Sequence, residues 1–351
     1  RLAMGLSPRG ADNRTRMSKG FKEAETAVEQ YYEPPLINVI KFACNACEDN
    51  VYRVSSACQG CLAHPCREIC PKGAISFKNK KAFIDHEKCI ACGRCAQVCP
   101  YHAIHHHVRP CADACGMKAI GSDEHGRADI NHDKCVSCGQ CLINCPFGAI
   151  ADKSQISQVI WSILSGDEVI ATVAPAFVGQ FGGKGNVGKL REAFKLLGFA
   201  GVEEVAIGAD LCAVQEAEDF YEEVIEGDLP FMGTSCCPAW SVMAKKEFAK
   251  NADCISMALT PMVLTARMIR SQHPNAKIVF VGPCAAKKLE AMRKSVRSEV
   301  DFVLTFEEMA GMMAAKNIDY LKLHDDNKSD FAVASADGRS FSVAGGVANA
   351  G

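Results

Sequence analysis

The chain has 351 residues, of which 48% are hydrophobic and 23% are charged, and its formal net charge is −2. That length allows about two or three globular domains, and the balanced charge argues against a nucleic-acid-binding protein, which is usually strongly basic. No apolar run approaches about 18 residues, and the first 20 residues are polar, so neither a membrane span nor a signal peptide is predicted. The unusual feature is the presence of 21 cysteines.

The distribution of the cysteines predicts three segments. Residues 1–42 form an N-terminal arm, residues 43–152 contain 16 cysteines, and residues 153–351 contain the other five. The close C-x2-C and C-x3-C spacings favour ligands of shared metal centres over separate disulfides. Reduced thiols of this kind indicate a reducing compartment, and we therefore expect a cytoplasmic protein.

The middle segment contains a repeated cluster-binding motif. Residues 89–100 recur as residues 135–146, and both have the spacing C-x2-C-x2-C-x3-C-P. One tight loop of this spacing supplies three thiolates to a 4Fe–4S cubane, and the fourth thiolate comes from the partner repeat. A zinc site would leave the third and fourth cysteines of each repeat unexplained. The repeats resemble a bacterial two-cluster ferredoxin, so an α+β ferredoxin-like region is predicted here.

Further cysteine groups lie upstream of each full repeat, at the distance expected within a ferredoxin. Our hypothesis is therefore two tandem units that hold four 4Fe–4S clusters, with four cysteines each. The predicted sets are Cys58, Cys61, Cys66 and Cys99; Cys70, Cys89, Cys92 and Cys95; Cys115, Cys135, Cys138 and Cys141; and Cys44, Cys47, Cys111 and Cys145. The alternative is two clusters, with the other eight cysteines in a degenerate or zinc-like site.

After residue 153, apolar runs alternate with helical patterns, which predicts an α/β domain with a mainly parallel sheet. The predicted strands are residues 169–174, 202–207, 277–281 and 301–305; the predicted helices are residues 186–197 and 262–270, the first with Asn186 as N-cap and Gly198 at its end. Ligands of such sheets bind beyond the carboxyl ends of the strands. Two cysteine motifs follow apolar runs in this way: residues 234–237 follow 229–232, and residues 282–284 follow 277–281.

These two motifs carry a family resemblance. T-S-C-C-P-A-W at residues 234–240 and G-P-C-A-A-K-K-L-E at residues 282–290 resemble the first two signature motifs of FeFe hydrogenases, although Ala239 and Gly282 stand where the family has Gly and Met. Together with the cysteine-rich front end, these variants resemble the divergent group B branch. The resemblance implies a catalytic domain of parallel sheets with flanking helices. It also implies an H-cluster, in which a 4Fe–4S cubane is joined to a two-iron unit.

The resemblance also implies roles for residues at the cluster. Cys237 and Cys284 match ligands of the cubane, and Cys236 matches the thiol that passes protons to the two-iron unit. Lys287 matches the amine that binds a cyanide ligand, and Glu290 completes the second motif.

Further matches lie outside the two motifs. Ala174 and Pro175 resemble a strand end that packs beside the two-iron unit. Glu216, Asp219 and Ser256 match the proton relay of the family, and Glu216 and Asp219, three residues apart, would share one face of a helix.

The implied activity is the reversible reduction of protons to H2, with electrons exchanged with a ferredoxin-type carrier. Hydrogenase maturation proteins are the other implied partners. No cysteine follows Cys284, whereas the third motif of the family supplies two more. The chain is therefore expected to be truncated at its C-terminus and inactive as it stands. The alternatives are a non-catalytic hydrogenase-like iron–sulfur scaffold and an H2-sensing protein.

Overall fold

The computed structural model describes residues 1–7, 16, 19, 35–182, 186–292, 296–324 and 334–350. Most of the predicted N-terminal arm lies outside the described residues. The chain divides into two compact units: a smaller one formed by residues 39–134 and 140–150, and a larger one formed by residues 1–38, 135–139 and 151–351. None of the described helices is both long enough and apolar enough to span a bilayer.

The smaller unit consists of short strands and one-turn helices. Its strands, including two that cross the boundary between the units, are β1 Ile37–Val39, β2 Val51–Val54, β3 Ile75–Lys78, β4 Lys81–Ile84, β5 Ile104–His107, β6 Ile120–Ser122, β7 Ala128–Ile130 and β8 Ile150–Asp152. Its helices are α1 Pro65–Glu68, α2 Arg94–Gln97, α3 Pro110–Asp113 and α4 Gln140–Ile143. The pairs β2–β5, β3–β4 and β6–β7 are antiparallel, which confirms the predicted α+β region.

The larger unit is built around a parallel sheet with the strand order β10-β9-β11-β12. Its strands are β9 Val169–Val173, β10 Gly201–Glu204, β11 Lys277–Gly282 and β12 Phe302–Thr305. Its helices are α5 Ile156–Ser165, α6 Val187–Leu197, α7 Ala206–Phe220, α8 Pro238–Glu247, α9 Pro261–Gln272, α10 Ala286–Ala291, α11 Phe306–Ala315, α12 Ala336–Ser340 and α13 Gly346–Ala350. The main hydrophobic core lies between the sheet and its helices, so the predicted α/β class is confirmed.

The predicted helix ends of α6 agree with the structure. The side chain of Asn186 accepts hydrogen bonds from the backbone N–H groups of Gly188 and Lys189, and thereby caps the helix. Gly198 ends the helix with a φ of 102°, a conformation that glycine adopts without steric cost.

The apolar run at residues 229–232 is not a strand, contrary to the sequence-based prediction. A π-helical turn, Tyr221–Ile225, precedes it, and the N–H of Leu229 bonds back to the carbonyl of Glu223 instead of joining a sheet. Only an isolated parallel bridge, between Gly233 and Ile255, leads into the cysteine motif in this described part of the chain.

Close packing of α7 on α9 depends on Gly208. A Cβ atom at this position would lie 2.4 Å from the carbonyl oxygen of Pro261 and 2.4 Å from Oγ1 of Thr265. Real Cβ atoms do not approach backbone atoms this closely, so glycine allows the two helices to meet. Helix α7 carries Glu216 and Asp219 of the predicted relay, and this contact fixes the position of α7 against α9.

Candidate metal centres and catalytic site

Three cavities of the smaller unit are each lined by four cysteines. The sets are Cys58, Cys61, Cys66 and Cys99; Cys70, Cys89, Cys92 and Cys95; and Cys44, Cys47, Cys111 and Cys145. The structure therefore brings together three of the four predicted sets, with the predicted members in each.

Each set combines the same three local structures. The first is a C-x2-C turn whose third residue has a positive φ: Ala46, Gly60, Ala91 and Ser137. The second is a buried cysteine at the second position of a one-turn helix: Cys66, Cys95, Cys111 and Cys141. The third is a cysteine whose Sγ accepts a hydrogen bond from the N–H of an alanine four residues later: Cys70, Cys99, Cys115 and Cys145.

The remaining predicted set, Cys115, Cys135, Cys138 and Cys141, is divided between the two units. Cys135 and Cys138 lie in the larger unit, whereas Cys115 and Cys141 lie in the smaller one. Each part nevertheless has the local structure of its counterparts. The N–H of Ser137 bonds to Sγ of Cys135 at 3.4 Å, as that of Ala91 bonds to Cys89 at 3.4 Å. All four sets thus contain the same three local structures, and the number of clusters stays a prediction.

The arrangement of the cysteines fits clusters better than single zinc ions. A tetrahedral zinc site needs four ligands within about 2.3 Å of one point. In the three sets, the cysteines instead surround a cavity, as the ligands at the corners of a cubane must.

Arg109 connects the distant parts of the set Cys44, Cys47, Cys111 and Cys145, which we call the discontinuous set, and the sequence analysis did not identify this arginine. Its buried guanidinium donates to the carbonyl oxygens of Cys47, Gly121 and Gly126 at 2.7 to 3.0 Å. These bonds hold the distant Cys47 loop beside α3, which begins one residue after Arg109 and carries Cys111. Burial raises the pKa of the Cys111 thiol, and the charge of Arg109 acts in the opposite direction.

In the larger unit, candidate residues gather at the carboxyl ends of two adjacent strands. β9 and β11 pair in the centre of the sheet, and the N–H of Ala174 bonds to the carbonyl of Val281 at 2.9 Å. Pro175 follows β9, and Cys284 follows β11 by two residues. The site thus lies where a parallel sheet is expected to bind its ligand.

Lys287 links the two cysteine motifs. Its Nζ donates to the carbonyl oxygen of Cys236 at 2.8 Å and to Oε2 of Glu290 at 2.7 Å. The other carboxylate oxygen of the buried Glu290 accepts from the hydroxyl of Thr260. With both of its oxygens engaged, Glu290 orients Lys287 towards the cysteine loop.

The three thiols at this site differ in their surroundings. Burial raises the pKa of Cys236 and of Cys284, and the charge of Lys287 lowers both. The nearby backbone N–H groups of Ala286 and Lys287 also lower the pKa of Cys284. Cys237 is exposed and lies close enough to interact electrostatically with both other thiols. The structure therefore brings Cys236, Cys237, Cys284 and Lys287 together.

Glu216 lies behind the cysteine loop. Its buried carboxyl faces the Ser256 hydroxyl and the backbone N–H of Ser235, and burial raises its pKa. Its Oε1 has no hydrogen-bond partner among the described residues. Asp219 is half-buried one turn later on α7 and interacts with Glu216 through its charge. Glu216 also acts on the thiol of Cys236, so the candidate relay approaches the candidate proton-transfer thiol.

Two residues near the site were not identified as functional in the sequence analysis. The Cys212 thiol is buried on α7 beside Glu216 and Cys236, and burial raises its pKa to about 12. Lys288 is 1% exposed, and its Nζ donates to Oδ2 of Asp152 at 2.6 Å and to Oε1 of Glu308 at 3.2 Å. Through these two ion pairs, Lys288 holds the buried face of α10, the helix that carries Lys287, in place.

Comparison with known families finds a match for both halves of the chain. The sequence profile of "Iron only hydrogenase large subunit, C-terminal domain" matches residues 167–351, which is more than half of the chain. The chain belongs to the iron-only hydrogenase family. Profiles of a 4Fe–4S binding domain and of the LdpA Fe–S cluster-binding domain match residues 82–105 and 106–156.

Several hydrogenases are similar over much of the chain. Iron hydrogenase 1 of Clostridium pasteurianum is 31% identical over 299 residues, which cover 79% of this chain and 51% of the relative. The periplasmic [Fe] hydrogenase large subunit of Nitratidesulfovibrio vulgaris is 32% identical over 290 residues, covering 76% and 66%. The NADP-reducing hydrogenase subunit HndD of Solidesulfovibrio fructosivorans is 30% identical over 231 residues, covering 58% and 39%. The chain thus spans about two fifths to two thirds of these relatives.

Family membership settles the class of cofactor. The ferredoxin-type region of this hydrogenase-family chain binds 4Fe–4S clusters, and the hydrogenase domain is of the type that carries an H-cluster. The residues present fit such a group, because two thiols and an oriented ammonium converge at one end of the parallel sheet.

Proposed function

We propose that the complete protein is an FeFe hydrogenase that catalyses 2 H⁺ + 2 e⁻ ⇌ H2. The observation that supports this proposal most strongly is the meeting of Cys236, Cys237, Cys284 and Lys287, with Glu216 behind them. A scaffold for cluster assembly has no need of a buried acid near a proton-carrying thiol. The hydrogenase relatives agree with this reading.

The residues of the site have two proposed roles, cofactor binding and proton transfer, and the first group holds the cofactor. Cys237 and Cys284 would hold the cubane, and Lys287 would donate a hydrogen bond to an anionic ligand of the two-iron unit as a point charge. When bound, the H-cluster supplies the iron at which protons and electrons combine. Ala174 and Pro175 would form the apolar wall at the end of β9.

The roles of the proton-transfer residues follow from their burial and their neighbours. Cys236 keeps its proton at neutral pH, because burial raises its pKa, and it can therefore hold a proton for transfer at this position. Glu216 can take a proton from the Ser256 side and pass it on towards Cys236, since burial brings its pKa closer to neutrality. Asp219 would deliver protons to Glu216 from the less buried end of α7. Glu290 acts as a positioning residue through Lys287.

Electrons would travel through four 4Fe–4S clusters held by the sixteen cysteines of the four sets. A ferredoxin-type protein is the proposed carrier, and maturation proteins would install the two-iron unit. The sixteen closely grouped cysteines favour a reducing, cytoplasmic location.

Hydrogen production by the full-length, cluster-loaded protein tests the proposal. Reduced methyl viologen should support H2 evolution, and Cys284→Ala should abolish it while Cys254→Ala, which removes a buried cysteine outside the site, should not. An intact, fully loaded protein that neither evolves H2 nor exchanges H2 with D2O would favour the scaffold instead.

A further inference from the structure

One cysteine set is exposed to solvent at Cys92, and we call this side of its cavity the Cys92 edge. In the described part of the chain, Cys92 is exposed, whereas the other fifteen cysteines of the four sets are buried or half-buried. Cys92 lines the cavity of the set Cys70, Cys89, Cys92 and Cys95, and its neighbour Ile90 is 57% exposed and lines the same cavity. An electron carrier must approach a cluster closely, so an exposed ligand marks a point of entry.

The side chains at this edge are cationic. Lys72 and Arg94 also line the cavity, and both are exposed. Lys88, next to Cys89, is exposed as well, although it is paired with Asp85. The charges of the two ferredoxin-like repeats differ: residues 55–104 contain seven Lys and Arg against three Asp and Glu, whereas residues 109–150 contain four against five. Positive charge is thus concentrated on the repeat with the Cys92 edge.

This combination suits a transient electron-transfer interface. Such interfaces are small, and charged groups at their rims accelerate encounter more than they add affinity. Here an apolar side chain, Ile90, lies beside the exposed ligand, and the cationic side chains of Lys72 and Arg94 line the same cavity. Charge complementarity then requires an acidic partner.

We propose that a small acidic one-electron carrier protein docks on the Cys92 edge, with Ile90 at the apolar centre and Lys72 and Arg94 at the charged rim. This rests on the proposed function, because it names the entry point of the electrons used there. In each encounter one electron leaves the reduced carrier, which becomes oxidised, and enters the cluster of this set, which becomes reduced. No bond forms or breaks, and the direction reverses when H2 is oxidised.

Stopped-flow measurement of electron transfer tests the proposal without measuring H2. The donor is reduced acidic flavodoxin, whose semiquinone absorbance is distinct from that of the clusters, and the acceptor is the full-length, cluster-loaded protein. Lys72→Glu/Arg94→Glu should lower the second-order rate constant about 10-fold or more at low salt. The difference should vanish at about 1 M salt, where charges act over only about 3 Å.

The matched control is Lys118→Glu/Lys134→Glu, which changes the net charge equally but places it in the other repeat. Both of these lysines are exposed. We expect less than about a 2-fold effect from the control. Equal slowing by both pairs would show that only net charge matters, and an unchanged rate in the first pair would show that the carrier docks elsewhere; either result overturns the proposal.

Iron content and reduction by a small molecule distinguish a docking defect from damage to the clusters, and H2 activity distinguishes it from failure of the proposed function. Iron content should remain unchanged in both pairs, and so should the rate of reduction by methyl viologen at about 1 M salt, where the charge of this cationic reductant is screened. If Lys72→Glu/Arg94→Glu loses iron, the neutral pair Lys72→Gln/Arg94→Gln should still slow the flavodoxin reaction, and a normal rate there would refute the docking site. A protein without H2 activity that retains the charge effect would refute the hydrogenase proposal alone.

Discussion

Replacing Lys288 by methionine should destabilise the larger unit by about 3–5 kcal/mol. The Lys288 side chain is 1% exposed, and the side chains of Asp152 and Glu308 are 16% and 11% exposed. Its Nζ also donates to the carbonyl oxygen of Lys153 at 2.7 Å. Methionine fills a similar volume but leaves two shielded carboxylates without their cation, and an uncompensated buried charge costs several kcal/mol.

Urea unfolding followed by tryptophan fluorescence measures this loss. Both tryptophans of the chain, Trp161 and Trp240, lie in the larger unit, so the signal reports on that unit. Lys250→Met changes an exposed lysine and should alter the free energy of unfolding by less than about 0.5 kcal/mol.

A compensating variant isolates the cause of the loss. In Asp152→Asn/Lys288→Met/Glu308→Gln, neutral amides replace the two carboxylates that lack a cation, and most of the lost stability should return. A loss below about 1 kcal/mol in Lys288→Met alone, or no recovery in the triple variant, would refute the reasoning that an unpaired buried charge is responsible.

Two further predictions concern the clusters and the sheet. Cys44→Ser/Cys111→Ser should lower the iron content by about four atoms per chain, whereas Cys254→Ser should not change it; an unchanged content in the double variant would refute the discontinuous set. Burial raises the pKa of Glu203 from its ordinary value of 4.5 to about 7. Its contribution to stability is therefore complete below pH 4.5 and is lost as the pH rises through 7, about 3 kcal/mol at most. Glu203→Gln should flatten the decline of the urea midpoint between pH 5 and pH 8, and a decline as steep as in the unmodified protein would contradict this.

Local signals explain which elements could be predicted from the sequence. The N-cap and C-terminal glycine of α6 act within one turn, so Asn186 and Gly198 specify its ends without help from distant residues. The C-x2-C-x2-C loops are equally local, because one turn and one helix supply three thiols. The apolar run at residues 229–232 misled the prediction, since the N–H of its first residue, Leu229, bonds to Glu223 in the preceding π-helical turn and not to a neighbouring strand.

Residues that act over long sequence distances could not be identified in this way. Lys288 stands next to another lysine and has the pattern of a surface residue, and its partner Asp152 lies 136 residues away. Arg109 likewise has no local signal, although it binds a carbonyl 62 residues away. The pairing of Cys145 with Cys44, Cys47 and Cys111 followed only from counting cysteines, and the cavity they line supports it.

Variants of the cysteine doublet in the full-length protein test the central claim most directly. Cys236→Ala should keep the infrared bands of bound CO and cyanide but lower H2 turnover by about 100-fold or more, because a positioned proton-transfer group is lost. Cys236→Asp should retain more activity than Cys236→Ala, since a carboxyl can also carry a proton. Cys237→Ala should lose the bands, because it removes a proposed ligand. Loss of the bands in Cys236→Ala together with their retention in Cys237→Ala would contradict the assignment of the two cysteines.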